Sequence, residues 1–189
     1  MFWQRRIGEA TVTNVTELIG PTHDPARVFA DLPRQEFETL VPRLEPHHYA
    51  RGNDRLIVGI QIWIVHLGDE IIVIDGGIGN HKPRGLPRFD QLNTMVPAWF
   101  EAAGAPFDKV INTHLHSDHV GWNTVADGNG GWQRTFPNAR YLMPRRDWDY
   151  WKDVLAKTGG VGESEALVDS VVPLLEGDQV DFYDEGYEF

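Results

Sequence analysis

Between Lys109 and Gly121 the chain reads Lys-Val-Ile-Asn-Thr-His-Leu-His-Ser-Asp-His-Val-Gly, which places four potential metal ligands, His114, His116, Asp118 and His119, within six residues. Neutral imidazole and carboxylate suit zinc and related borderline divalent ions, whereas calcium and magnesium take oxygen donors almost exclusively. Phe107, Val110 and Ile111 lead into the motif as a short buried strand. Alternate residues at a strand end share a side, so His114 and His116 are expected to converge on one point. Asp118 and His119 follow where the chain turns into Val120-Gly121, and leaving the extended period lets both aim at a second point nearby. This is a layout for two divalent metal ions, with zinc the first expectation. A lone histidine is usually an ordinary surface or core residue, but His-x-His-x-Asp-His after an apolar strand is poorly explained that way.

The elements that must position this stretch are read from pattern. Ile57 to Val65 and Ile71 to Ile74 are β-branched strands joined by the turn Leu67-Gly68-Asp69-Glu70. Asp75 follows the second strand directly and precedes two glycines. It caps the turn or orients a ligand imidazole by accepting its free N–H, and the second role is favoured. Residues 78–87 form a loop leaving the same end of the sheet, with His81 a possible substrate contact rather than a ligand.

Thr113-His114-Leu115-His116-Ser117-Asp118-His119-Val120-Gly121 resembles the signature of the metallo-β-lactamase-fold hydrolases, and Ile74-Asp75-Gly76-Gly77 resembles the Asp-Gly turn that precedes it. Phe136-Pro137-Asn138-Ala139-Arg140-Tyr141 and Trp148-x-x-Trp151 resemble the branch that holds quorum-quenching lactonases and methyl parathion hydrolase. The resemblance runs from about Ile57 to about Asp184. It implies an α/β fold, the family's αβ/βα sandwich, with residues 1–189 as a single domain that is incomplete at its C-terminus. The family's third histidine, bridging aspartate and last histidine would fall beyond the chain. The implied function is hydrolysis of a lactone or other carboxylic or phosphoric ester, with Asp118 also orienting the attacking hydroxide. A non-catalytic binding or assembly module that keeps half of the fold is the alternative.

Composition bounds these readings. The 189 residues, 41% hydrophobic and 11% aromatic, suffice for about one domain with a buried core. The absence of cysteine removes disulfides and thiolate sites, leaving His and carboxylate as the only ligands. Met1 to Arg6 is not followed by an apolar stretch of signal-peptide length, and no run approaches a membrane span, so a cytoplasmic protein without membrane contact is expected. The net charge of -11 is concentrated in the tail: residues 163–189 carry nine acids and no Lys or Arg, against 19 acids and 17 bases elsewhere. Without a basic footprint, nucleic acid is disfavoured as a partner, and a small ester or lactone is expected. An unfinished sheet would leave an open edge and an uncovered apolar face, and so favours a homodimer.

In chain order, Gly8 to Leu18 reads as a first strand, and Asp24-Pro25 and Asp31 with Pro33 open two short helices, the second running through Phe37 and Leu40, with Pro42 and Pro46 closing the region. His47 and His48 lie in a polar loop. Leu92, Met95, Val96 and Trp99 form a helical stripe starting near Thr94 and ended by Gly104. Asp127 to Gly131 is a mobile loop bracketed by Trp122 and Trp132, which line an acyl pocket or anchor the loop. Ala139 to Met143 is a strand, Arg145 to Leu155 a helix, Val168 to Leu175 a helix broken near Pro173, and Gln179 to Tyr183 a last strand.

Overall fold

The computed structural model describes residues 2–188. The chain divides into two compact units, one of residues 2–17 with 61–188 and the other Leu18–Ile60. Among the described residues no helix is long and apolar enough to cross a membrane.

Strand β1 (Phe2–Ile7) turns at Gly8, which has positive φ, into β2 (Ala10–His23). The expected first strand is therefore the second arm of a hairpin. In the smaller unit follow α1 (Pro25–Val28), α2 (Arg34–Leu44) and β3 (Tyr49–Ala50), which pairs with the start of β4 (Arg55–Leu67). Asp24 caps α1 as expected, its carboxylate accepting from Ala26 N at 2.9 Å, with proline at the first helical turn. Helix α2 takes Pro42 inside it and ends at Leu44, just before Pro46. Phe37, Val41, Tyr49 and Leu56 form this unit's own core.

In the larger unit β5 (Glu70–Ile74), α3 (Val96–Ala102), β6 (Lys109–Ile111) and α4 (Ser117–Val120) come next. The hairpin β7 (Thr124–Ala126) and β8 (Trp132–Arg134) is followed by β9 (Arg140–Pro144), α5 (Arg145–Thr158), α6 (Glu165–Ser170) and β10 (Val180–Tyr183). The main sheet runs β1-β2-β4-β5-β6-β9-β10. It is antiparallel from β4 to β5 and parallel from β5 through β6 and β9 to β10. Alternation along its central strands fills both faces. Val73, Val110 and Tyr141 enter the large core with Phe100, Phe107, Trp122 and Trp151, while Ile72, Ile111 and Leu142 form a smaller cluster.

One helix boundary differs from the pattern reading. Helix α3 begins at Val96, not near Thr94, because Pro97 fits only the first turn; Leu92 lies outside it. The break expected near Pro173 in the helix over 168–175 is present: α6 ends at Ser170 and a 3-10 turn at Val172–Leu174 follows, since Pro173 has no N–H to continue the ladder. Residues 127–131 are the β7–β8 turn, with the Asp127 carboxylate accepting from Asn129 N at 2.7 Å and Gly131 N at 2.8 Å.

Candidate metal centre

Strand β6 ends at Ile111, so His114 and His116 do not stand on a strand end as expected; they occupy an irregular connection into α4. The rings nevertheless come together. The His114 ring centroid is 4.6 Å from that of His116 and 3.8 Å from that of His119. His116 sits at the N-cap of α4 in extended conformation, and Asp118 and His119 occupy its single turn. Trp151 of α5, buried, sets its ring 5.5 Å from that of His116.

The backbone of this stretch is held from four directions. Asp75, at positive φ directly after β5, accepts from Thr113 N and from Thr113 Oγ1, each at 2.8 Å. Asp147, in the first turn of α5, accepts from Leu115 N at 2.5 Å between the first two histidines. The carbonyl of His119 accepts from Gly76 N at 2.5 Å and from Asn112 Nδ2 at 3.0 Å. Beyond α4, Gly121 N donates to Gly77 O at 2.7 Å and Trp122 N to Gly76 O at 2.6 Å. That approach requires glycine at 121, since a Cβ there would overlap the carbonyl carbon and oxygen of Ile78.

Electrostatics divide the histidines. Burial pushes the His114 imidazole below its ordinary pKa, helped by the charges His119 and His116 would carry, and this favours the neutral form that ligates. Burial also pulls on His119, but the carboxylates of Asp75 and Asp118 outweigh it and leave that imidazole raised. His119 Nδ1 lies 2.8 Å from Asp75 Oδ2, yet off the direction of a ring N–H, so this buried nitrogen has no hydrogen bond.

The Asp118–His119 pair fits a metal in donor type and spacing. His119 Nε2 and Asp118 Oδ2 are 3.6 Å apart, too far for a hydrogen bond. Two donors sharing one tetrahedral zinc at about 2.1 Å stand about 3.4 Å apart. Among the described residues no group of three or more His, Cys, Asp or Glu side chains is assembled that could hold an ion, so the donors meet only in pairs. His66 is engaged elsewhere, its Nε2 2.9 Å from Ala103 O.

Pattern reading missed Glu17, Asp147 and the Asn112–Asn123 pair. Asp147 looks like any acid at a helix start. The asparagines lie eleven residues apart, with Asn123 Nδ2 donating to Asn112 Oδ1 at 2.9 Å, and carry no spacing signal. Of the tryptophans bracketing the β7–β8 turn, Trp122 is buried against Phe100, and Trp132 lies under the Lys82 ammonium, 4.0 Å from its ring centroid.

Three solved structures share this fold. A hydrolase called AbOPH, in the beta lactamase superfamily, superposes with a TM-score of 0.74 at 20% identity, over 100% of this chain and 62% of its own. AidC, a dizinc quorum-quenching lactonase in complex with the product N-hexnoyl-L-homoserine, gives 0.70 at 20% identity, over 100% and 63%. A probable metal-dependent hydrolase from Staphylococcus aureus gives 0.70 at 16% identity, over 97% and 62%. The chain thus spans about three fifths of the length of these structures. No curated protein matches it. The family model of the metallo-beta-lactamase superfamily matches residues 57–189, from within β4 through the histidine motif to the end, and the chain belongs to that superfamily.

Proposed function

We propose that this chain carries the metal-binding motif of a hydrolase that cleaves a lactone or another carboxylic or phosphoric ester. The observation that supports it is the packing of the His116 and His119 imidazoles against that of His114, with Asp118 Oδ2 3.6 Å from His119 Nε2. His114 and His116 would hold one divalent ion and Asp118 and His119 a second, zinc by donor type. Such a pair supplies Lewis acidity and a nucleophile available at neutral pH. The chain's own groups do the rest. Asp118, with a third of its side chain exposed, can accept a hydrogen bond from the attacking water at Oδ2 and so orient it. Trp151 excludes water from one side of His116, and Asp75 holds Thr113 and faces His119.

Two donors per ion are fewer than the three of a catalytic zinc site, so residues 1–189 should bind Zn2+ weakly and turn over slowly. Metal analysis after dialysis, with hydrolysis of an acyl-homoserine lactone and an aryl phosphotriester, tests this. Loss of residual Zn2+ binding in His116→Ala supports the reading. Two tightly held zinc ions with efficient turnover would mean that donors beyond these four complete the site. Unchanged binding in His116→Ala would remove the motif from the metal site. Self-association belongs to the same reading: β1 is an outer strand whose six residues are all exposed, and a monomer by light scattering at high concentration would remove it.

A further inference from the structure

Glu17 stands on β2, and its carboxylate is buried, with 7% of the residue exposed. Its Oε2 accepts from Ile78 N at 2.6 Å, and its Oε1 accepts from Gly79 N at 3.2 Å and from the indole Nε1 of Trp122 at 2.7 Å. These donors come from both halves of the clamp around α4: the loop after Asp75, and the residue just beyond Gly121. Backbone bonds from Gly76 N to His119 O, Gly121 N to Gly77 O and Trp122 N to Gly76 O tie the halves directly. There is no slack at the joint, because a Cβ at Gly77 would overlap Oε2 of Glu17 and one at Gly79 would meet Gly121 O at 2.8 Å.

We propose that Glu17 is the positioning residue of the metal motif, fixing the turn that presents Asp118 and His119 by holding Ile78, Gly79 and Trp122 on one carboxylate. An acceptor-only group is required. Three N–H donors converge on two oxygens, and an amide would turn its own N–H2 against at least one of them. Burial raises the pKa of Glu17, the three donors oppose that shift, and the charge of Asp118 adds to it. Holding an acid there is unfavourable in isolation, and the three donated bonds offset it.

The proposal rests on the metal-site reading above, and its test separates the two. In metal-free protein, hydrogen exchange is measured at the amides of Gly76, Gly121 and Trp122, with Val110 and Ile111 of β6 as internal reference. Zn2+ affinity is measured by competition with a chromophoric chelator. In Glu17→Gln, protection at the three clamp amides should fall at least about tenfold relative to β6, and Zn2+ affinity should fall about tenfold or more, the range for groups that orient ligands from behind. Phe107→Leu, a core change that weakens the fold generally, should move all amides together. Trp122→Phe removes one donor only and should show a smaller loss of the same kind; it decides the matter if Glu17→Gln does not fold. Uniform loss of protection in Glu17→Gln overturns the proposal. So does wild-type Zn2+ affinity in Glu17→Gln or Trp122→Phe when His116→Ala has lost it. If His116→Ala binds Zn2+ as the wild type does, the metal reading fails, and the exchange pattern alone decides whether Glu17 positions the turn.

Discussion

The amide and the hydroxyl of Thr113 both donate to the carboxylate of Asp75, each at 2.8 Å. The same hydroxyl oxygen lies 3.0 Å from His114 Nδ1. Because the hydroxyl proton is committed to a carboxylate that only accepts, its oxygen must accept from Nδ1–H of His114, leaving the lone pair on Nε2. The tautomer suited to ligation through Nε2 is thus set by Asp75 through Thr113. Thr113→Val should give mixed His114 tautomers by nitrogen NMR and weaken Zn2+ binding about tenfold; an unchanged nitrogen spectrum would remove this role.

Asp75, 2.8 Å from His119 Nδ1, is the main influence that raises that imidazole. With the carboxylate replaced in Asp75→Asn, burial dominates, and the His119 imidazole should titrate below its ordinary value instead of above it. Asparagine tolerates the positive φ of this position, so the backbone is preserved. Carbon-detected NMR titration of metal-free protein measures the shift, and an unmoved His119 would show that Asp118 alone holds it up.

Lys82 gives the larger unit an alkaline signature. Burial pushes its ammonium down to about 8, against the opposing charge and hydrogen bond of Asp169. Its folded pKa lies below its unfolded one, so between the two the unfolded chain binds more protons and stability rises with pH. Tyr141, pushed up to about 12 by burial, acts oppositely once the unfolded phenol ionises near 10. Urea unfolding should therefore show stability increasing from about pH 8 to about pH 10. Lys82→Met should flatten that rise while Arg84 remains paired with Asp169 at 2.6 Å. A rise of equal slope in both proteins would place its origin elsewhere.

Asp147 is the acceptor for Leu115 N, a contact thirty-two residues apart in sequence. Asp147→Ala leaves that amide without its partner and should cost about 1–3 kcal/mol. Asp149→Ala, two residues further along the helix and paired with exposed Lys152, should stay within about 0.5 kcal/mol. Denaturant midpoints compare the two directly, and equal losses would mean that the Leu115 bond contributes nothing of its own.

Local chemistry was legible in the sequence and remote chemistry was not. The histidine motif, the β4–β5 hairpin and the proline-started helix at Asp24 each declare themselves within a few residues. The strand leading into the motif ends at Ile111, short of both histidines, and Asn112 turns inward, its amide bonding His119 O and Asn123. Glu17 could not have been found: its partners stand 61, 62 and 105 residues away, and nothing in a strand rich in Thr and Val marks one acid as buried.

The close seating of Gly121 against Ile78 bears on how substitution data for such a chain are read. In a saturation library selected only for soluble expression, position 121 should be nearly blank, and position 79 should tolerate little. Screening for turnover would return the same blanks. Intolerance at the last residue of the motif therefore reports the thickness of a backbone joint, and only positions that survive the first selection and fail the second speak for chemistry.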